Sequence, residues 1–249
     1  KELFLISFLI VNFVYSDNFD KNIYNNHGVV GLVNTPTARF FDEGVHGITI
    51  YDGDPNQKIT LSSNVYDWFE ASFFYTNIQG TPYPGYVYQD YKDKGFNVKF
   101  RIKEEGVWPA IAVGLYDFAG TGLYGSEYIV ASKGVNKIDM HFGIGWGELN
   151  GSEKKINNPL GYLKDSFKDR PAGATSAYGG QLNTSKYFSG EKASPFFGIS
   201  YSLTNKILLK IEKDTIDTID PNPLIPYDQN KSDYSFGLDY SINSNFNFG

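Results

Sequence analysis

The stretch Tyr234-Ser-Phe-Gly-Leu-Asp-Tyr-Ser-Ile242 alternates large apolar residues with glycine, serine and aspartate. Successive side chains of a β-strand point to opposite faces, so this alternation predicts a strand with two different environments. The stretches Phe142-Gly-Ile-Gly-Trp146 and Phe197-Gly-Ile-Ser-Tyr201 repeat the pattern. Aromatic residues on one face, with glycine, serine and charge on the other, are typical of a membrane-spanning barrel with a wet interior.

The composition fits one large all-β domain and excludes several classes of function. Of the 249 residues 17% are aromatic, and a barrel accommodates them because only alternate residues of each strand need to be apolar. The formal net charge of −6 provides no basic surface for nucleic acid. The chain has no cysteine, which excludes disulfides, cysteine metal ligands and a cysteine nucleophile.

Strand-like stretches with turn signals between them recur along the chain. They predict an all-β fold, an antiparallel transmembrane β-barrel of about 11–12 strands. The segment Thr76–Lys94 is expected to be one of its outer loops, and the barrel is expected to be incomplete because the chain ends inside a strand. The predicted strands are Gly47–Tyr51, Gln57–Ser62, Trp68–Tyr75, Gly95–Lys103, Ala110–Asp117, Ser126–Lys133, Ile138–Trp146, Pro195–Leu203, Lys206–Lys213, Asp233–Ile242 and a last one from about Asn245.

The chain divides into three predicted parts. Residues 1–16 have a positive charge at Lys1 followed by a short apolar run, which predicts a signal peptide. Residues 17–46 are expected to form an N-terminal segment, and residues 47–249 the barrel. Within the barrel, Pro159 followed by apolar residues at helical spacing predicts a short helix between Asn158 and Arg170, in a long loop.

Several motifs between and within the strands resemble the YjbH/GfcD-type exopolysaccharide and capsule outer-membrane proteins. They occur in one order over most of the chain, from Gly31 to about Asp214. The motifs are Gly31-Leu-Val-Asn-Thr-Pro-Thr-Ala-Arg39, Trp68-Phe-Glu-Ala-Ser-Phe-Phe-Tyr75, Phe96-Asn-Val-Lys-Phe-Arg101, Pro109-Ala-Ile-Ala-Val-Gly114, Asp117-Phe-Ala-Gly-Thr-Gly122, Gly143-Ile-Gly-Trp-Gly147 and Asn158-Pro-Leu-Gly161.

The resemblance implies a location and a role. It implies that residues 47–249 are a β-barrel in the bacterial outer membrane that takes part in exopolysaccharide or capsule assembly or export, as a scaffold or a conduit. Because family members are considerably longer, the resemblance also implies that this barrel is the first part of a longer protein. The implied partners are outer-membrane lipid, the polysaccharide and other polysaccharide-secretion proteins. Many family members are described as lipoproteins, whereas this sequence has no cysteine to carry a lipid.

Charged residues at inward positions are the first candidates for a ligand-binding site. Lys99, Arg101 and Lys103 form a basic ladder, and acidic residues are expected to face the same interior. One interpretation is a passage for an anionic polysaccharide. The other is mutual salt bridging that holds the interior together, because unpaired charge removed from water is costly. The acidic candidates are Glu70, Glu127, Asp139 and Glu212.

Two further groups of residues bear on ligand binding and catalysis. Tyr86 and Tyr88 lie in a tyrosine-rich stretch that suits either stacking on sugar rings or an aromatic belt at the membrane interface. Asp139 and His141 share a strand face and suit acid–base chemistry. No serine nucleophile motif or third partner is evident, so we expect no enzyme activity, no metal site and no cofactor.

The alternatives to the polysaccharide-related barrel are a general porin or surface adhesion barrel, and a secreted carbohydrate-binding β-sandwich.

Overall fold

The structure is a computed structural model that describes residues 22–249 except 54, 84–85, 152–153, 172–181, 183, 214 and 216–233. The predicted signal peptide, residues 1–16, lies outside the described residues. The described part is all-β, as predicted, and its strands form one 12-stranded antiparallel sheet. The strands are β1 (His46–Asp52), β2 (Asn56–Tyr66), β3 (Phe69–Tyr83), β4 (Tyr86–Lys103), β5 (Ala110–Tyr116), β6 (Ser126–Val135), β7 (Ile138–Gly147), β8 (Ile156–Asn157), β9 (Lys192–Ser202), β10 (Ile207–Lys213), β11 (Tyr234–Ser241) and β12 (Asn247–Phe248).

The strands pair in chain order, with one exception. The short β8 pairs only with β9, so β7 and β9 are direct neighbours in the sheet. In the described part of the chain β1 and β12 are the two edges and do not pair with each other. The prediction of an antiparallel all-β protein is therefore confirmed, while the closed barrel is not.

The prediction of an outer loop at Thr76–Lys94 is wrong. β3 and β4 continue as a paired hairpin through this stretch, with Thr76 opposite Asp93 and Ile78 opposite Tyr91. The hydrophobic alternation fades beyond Tyr75 because polar residues follow, but the backbone ladder continues, since backbone pairing does not require apolar side chains.

The short helix predicted between Asn158 and Arg170 is confirmed in part. Two short 3-10 helices occupy this stretch, Pro159–Tyr162 and Asp165–Phe167, and Pro159 lies in the first turn as predicted, but they do not form one continuous amphipathic helix. The Asn158 side chain donates to three carbonyl oxygens of the loop, each at 2.9 Å, and accepts from the next turn. These bonds fold the segment back on itself, and Leu163 is 79% exposed, so an apolar helix face would have nothing to pack against.

The connections differ at the two ends of the sheet. At one end, here called the short-turn end, residues 67–68, 104–109, 136–137, 203–206 and 242–246 join consecutive strands. At the opposite, long-loop end lie the connections 53–55, 84–85, 117–125, 148–191 and 214–233. The three longest connections therefore share one end with two short ones, and every connection at the other end has six residues or fewer.

The sheet has two chemically different faces. The outer face carries the apolar residues, and Phe142 is 55% exposed and Phe236 73% exposed. The inner face carries their neighbours, and Asp139, His141 and Gly143 are buried. The predicted alternation of β7 and β11 is therefore confirmed. Trp146 is an exception among the residues expected on the exposed face, because Phe188 packs edge-on against it at 5.3 Å and buries it.

Residues 22–41, here called the N-terminal segment, cover the inner face. Val29, Ala38 and Phe40 of this segment belong to the hydrophobic core. Gly143 and Gly198 leave the room this packing needs, because a β-carbon at these positions would overlap Phe196 and Leu32 respectively. The sheet contributes Ala110, Ala112, Tyr116, Tyr128, Val130 and Phe196 to the same core, and Leu149 closes it at the long-loop end.

The N-terminal segment is a hairpin inserted from the short-turn end. Its two ends meet there, since the Asn22 side chain donates to the carbonyl of Phe40 at 2.6 Å. Its tip reaches further along the strands, where His27 stacks on Tyr116 with ring centroids 5.1 Å apart. The segment therefore runs through the space that the inner face encloses.

The sheet must be strongly curved around this segment. Glu70 of β3 binds the backbone N–H of Val30, and Glu212 of β10 binds that of Val33. In a flat sheet, the six strand spacings between β3 and β10 would place these two strands about 29 Å apart. Three residues of chain span at most about 11 Å, so the sheet curls to bring both carboxylates to one short segment.

Candidate functional site

The most deeply buried charges of the inner face form an ion pair between neighbouring strands. Glu70 and Lys99 are directly opposite each other in β3 and β4, with Nζ 2.8 Å from Oε2. Lys99 Nζ also donates to the carbonyls of Val30 at 3.2 Å and Arg39 at 2.8 Å. Both side chains therefore satisfy each other and the N-terminal segment, as buried charge requires.

Glu212 holds the turn of the N-terminal segment. Its carboxylate accepts from the backbone N–H groups of Val33 at 3.1 Å, Asn34 at 2.8 Å and Thr35 at 3.1 Å. The hydroxyl of Thr35 donates a fourth bond at 2.7 Å. On the same strand, Lys210 Nζ donates to the Leu32 carbonyl at 2.9 Å and pairs with Asp239 at 2.8 Å. A charged acceptor and a charged donor thus bind complementary backbone groups of one turn.

Asp139 binds the other end of the segment through Arg39. The guanidinium makes two bonds to the Asp139 carboxylate, both 2.7 Å, and a further ion pair of 2.5 Å with Glu105. Such two-point pairing fixes both the position and the orientation of the arginine. The segment is therefore tied to β7 and to the β4–β5 turn at the short-turn end.

The structure brings a serine to the Asp139–His141 pair. Ser132 Oγ lies 2.8 Å from His141 Nδ1, and His141 Nε2 lies 3.6 Å from Asp139. The same Oγ accepts a bond of 2.8 Å from the backbone N–H of Ala38. Ser132 is 1% exposed, and Ser132 and Asp139 bind Ala38 and Arg39, so both side chains anchor the N-terminal segment.

The remaining predicted site residues lie apart from this network. Arg101 pairs with Glu104 at 3.3 Å and sits over the ring of Phe40, whereas Lys103 is exposed beside Trp108. Glu127 occupies one of the alternate positions of β6 that belong to the outer face, and it pairs with Arg170 of the loop after β7. The basic ladder is therefore divided between a buried lysine and two residues at the short-turn end.

Of the two tyrosines, only one can be described. Tyr88 is fully exposed near the tip of the β3–β4 hairpin. The side chain of Tyr86 lies outside the described part of the chain. The binding role of these tyrosines and of the inner-face charges stays a prediction.

Sequence reasoning missed the residues of the N-terminal segment that complete the network. Asn25 is buried, donates to the carbonyl of Asn34 at 3.0 Å and accepts from the backbone of Val29 at 3.1 Å. Arg39 was noted only as part of a motif. The available signal was the surplus of inward acidic residues, which needed donors from elsewhere in the chain.

A second polar cluster lies at the long-loop end. Asp117 accepts from the backbone of Tyr124 at 3.1 Å. Burial and, to a smaller extent, the nearby charge of Asp93 raise the pKa of the Asp117 carboxyl to about 7. Burial also raises the pKa of Tyr124. This carboxyl therefore titrates near neutral pH, unlike an ordinary surface aspartate.

Two negative observations concern the described residues alone. No group of three or more histidine, cysteine, aspartate or glutamate side chains is arranged there to hold a metal ion. In the same residues, no helix has the length and apolar character needed to cross a membrane.

The fold and the site together define a class of protein: an antiparallel all-β protein whose single sheet is packed around its own N-terminal segment through buried ion pairs. The chain belongs to the YjbH family, described as exopolysaccharide biosynthesis protein YbjH, whose model matches residues 23–249. The chain is 36% identical over 194 residues to an uncharacterized lipoprotein, YjbH, of Escherichia coli (strain K12). That match covers 76% of this chain and 27% of the relative, and no solved structure matches.

Proposed function

We propose that this chain forms strands of an outer-membrane β-barrel that takes part in exopolysaccharide or capsule assembly or export. The observation that carries the proposal is that the sheet buries charged side chains and exposes apolar ones. Lys99 and Glu70 are buried, whereas Phe142 and Phe236 are exposed. A soluble protein rarely exposes a contiguous apolar face of this kind, and a lipid-facing barrel wall requires one. Family membership supplies the link to exopolysaccharide.

Aromatic residues at the short-turn end support the location in a membrane. Trp68 stacks on Tyr66 at 5.5 Å, and Phe69 stacks on Phe100 at 5.0 Å. Trp108 is exposed at the same end. Rings of this kind form the girdle where a barrel wall meets the headgroups.

The proposed role is that of a scaffold, because the interior is filled. The N-terminal segment occupies the short-turn side, and Leu149 closes the core at the long-loop side. A conduit or a general porin would need this segment to leave its buried ion pairs, which is costly. We propose that the chain has no enzyme activity. The secreted β-sandwich has less support, because all described strands lie in one sheet and no second sheet covers Phe142 among them.

Membrane fractionation tests the location. The chain, expressed with an export signal in a Gram-negative host, should stay in the outer-membrane fraction after a urea wash and should need detergent for extraction. Recovery in the soluble periplasm would contradict the barrel. In planar bilayers the purified protein should give no steady conductance to small ions, whereas a porin would.

The role in polysaccharide production is tested separately. A strain in which the gene is deleted should secrete less exopolysaccharide, and the intact gene should restore the amount. Normal secretion by the deletion strain would contradict the proposed role and leave the barrel itself untouched. The proposed partners are outer-membrane lipid, the polysaccharide and other proteins of its secretion.

A further inference from the structure

A cleft lies at the long-loop end between residues 117–125 after β5 and the described residues Glu148, Arg170, Lys186 and Tyr187 of the connection after β7. Its volume is about 120 Å³. One buried water needs about 10–15 Å³ of such space, so the cleft has room for about ten atoms of water size. This is close to the twelve heavy atoms of a hexose.

Direct contacts between the two connections fix the walls of the cleft. Arg170 makes two bonds to the Glu127 carboxylate, at 2.7 and 3.0 Å. The Tyr187 hydroxyl donates to the Phe118 carbonyl at 2.9 Å. These contacts hold the described residues on the two sides of the cleft together without a ligand, which lowers the ordering cost of binding.

The backbone at the cleft is unusual in two places. Gly147 has a φ of 65°, and a β-carbon there would overlap the carbonyl of Gly125, so this wall is backbone alone. Asp117 has a φ of 48°, in the left-handed region that aspartate adopts more readily than most residues with a side chain. Strain of this kind concentrates at binding sites, where the surrounding structure maintains it.

The lining indicates the chemistry of the ligand. The charges of the lining nearly cancel, because Glu127 pairs with Arg170, Glu148 and Lys186 carry opposite charges, and the raised pKa of Asp117 keeps its carboxyl partly protonated near neutral pH. A carboxyl group accepts hydrogen bonds from hydroxyl groups, and the ring of Tyr187 offers an apolar surface beside it. A lining with little net charge favours a neutral sugar over a sugar acid.

We infer that this cleft binds a neutral hexose unit of a polysaccharide chain. The inference rests on the proposed function, because it places a sugar subsite at the end of the sheet that would face the cell exterior. Charged side chains line this concave site beside the rings of Tyr116, Phe118 and Tyr187, and small-molecule pockets combine apolar surface of this kind with polar groups that fix the orientation of the ligand. A ligand of this size that binds without large rearrangement is expected to have a dissociation constant of about 1 mM.

Single-cysteine labelling tests the inference, since the chain has no cysteine of its own. Lys186→Cys places a thiol at the cleft, and Lys168→Cys places one on the same loop outside it. Each variant, purified in detergent, is coupled to a bulky maleimide. Binding of cellotetraose, a neutral probe, and of an alginate tetramer, an acidic one, is then measured by saturation-transfer NMR.

The expected result is saturable binding of cellotetraose to the unlabelled protein, weakened at least about 10-fold by the label at position 186 and unchanged by the label at 168. No binding at 10-fold above the expected constant, preference for the alginate tetramer, or binding unaffected by the label at 186 would each overturn the inference. Membrane fractionation of the same variants separates these failures from failure of the barrel, which would appear as loss from the membrane fraction.

Discussion

Glu212 offers the sharpest test of how the N-terminal segment is held. Its carboxylate accepts three backbone N–H bonds and one hydroxyl bond from residues 33–35, at 2.7 to 3.1 Å. Hydrogen bonds to a charged group contribute about 1.5–3 kcal/mol each, but their effects do not add when they share one acceptor. We therefore expect Glu212→Ala to lower the free energy of unfolding by about 3–5 kcal/mol, the range for removing one partner of a buried charged group.

Glu212→Gln is the graded version of the same change. The amide keeps one oxygen, which can retain the bonds from Val33 and Thr35, but its NH₂ then faces the N–H of Asn34. One buried donor is left unsatisfied, and the expected loss is about 1–3 kcal/mol. Glu104→Gln is the matched control, because Glu104 is an exposed partner of Arg101 and an exposed ion pair contributes at most about 1 kcal/mol.

The assay is urea unfolding in detergent micelles, followed by tryptophan fluorescence, together with limited proteolysis of the N-terminal segment. Glu212→Ala should shorten the time to cleavage within residues 22–41 as well as lower the midpoint. A free energy of unfolding within 0.5 kcal/mol of the unsubstituted protein, with unchanged cleavage, would refute the reasoning that these bonds hold the segment.

Three further predictions concern the outer face, the glycine clearance and pH. Phe142→Arg should lower the free energy of unfolding in lipid bilayers by about 2–4 kcal/mol, because the new side chain would face hydrocarbon. Val107→Arg, in a turn, should lower it by less than about 0.5 kcal/mol. Equal losses for the two variants in an unfolding assay would contradict a lipid-facing position of Phe142. Gly143→Ala should cost about 1–3 kcal/mol by overlap with the Phe196 ring, whereas Gly134→Ala, with its nearest neighbour at 3.5 Å, should be nearly neutral in the same assay. The pKa of Asp117 is raised to about 7, so the folded protein binds this proton more tightly than the unfolded chain; the resulting stability is present below about pH 4 and is lost as pH rises through 7. The unfolding free energy of the unsubstituted protein relative to Asp117→Asn should fall by about 2–3 kcal/mol between pH 5 and pH 9, about 1.36 kcal/mol for each of the two pH units between 5 and 7, and a constant difference would count against the shift.

The strands could be predicted because their residues report their own environment. In β11, every second residue from Tyr234 to Tyr240 lies on the outer face, as the alternation predicts. The pattern failed where backbone pairing continued without apolar side chains, as at Thr76 and Ile78 of β3. It failed again at Trp146, because a distant part of the chain, Phe188, covers an outward position.

The partners of the inner-face charges could not be predicted from the strands. Lys99 and Asp139 were expected to point inward, and salt bridging was one of the two interpretations offered for them. Their partners include backbone groups and Arg39 of the N-terminal segment, which shows no strand periodicity. A hairpin that depends on contacts 40 to 179 residues away in sequence carries no local signal of where it lies. Only the need of buried charges for partners pointed to such a segment.

Oxygen and nickel accessibility of nitroxide labels on the outer face tests the central claim most directly. Single cysteines at Phe142, Phe197 and Ile199 are labelled in the protein reconstituted into lipid bilayers, with Val107 in the β4–β5 turn as the aqueous reference. We predict that collisions with oxygen exceed those with a water-soluble nickel complex at the three strand positions, and that the order reverses at Val107. Collisions with the nickel complex that match the Val107 reference at all three strand positions would show that this face meets water, and would contradict the membrane-spanning sheet.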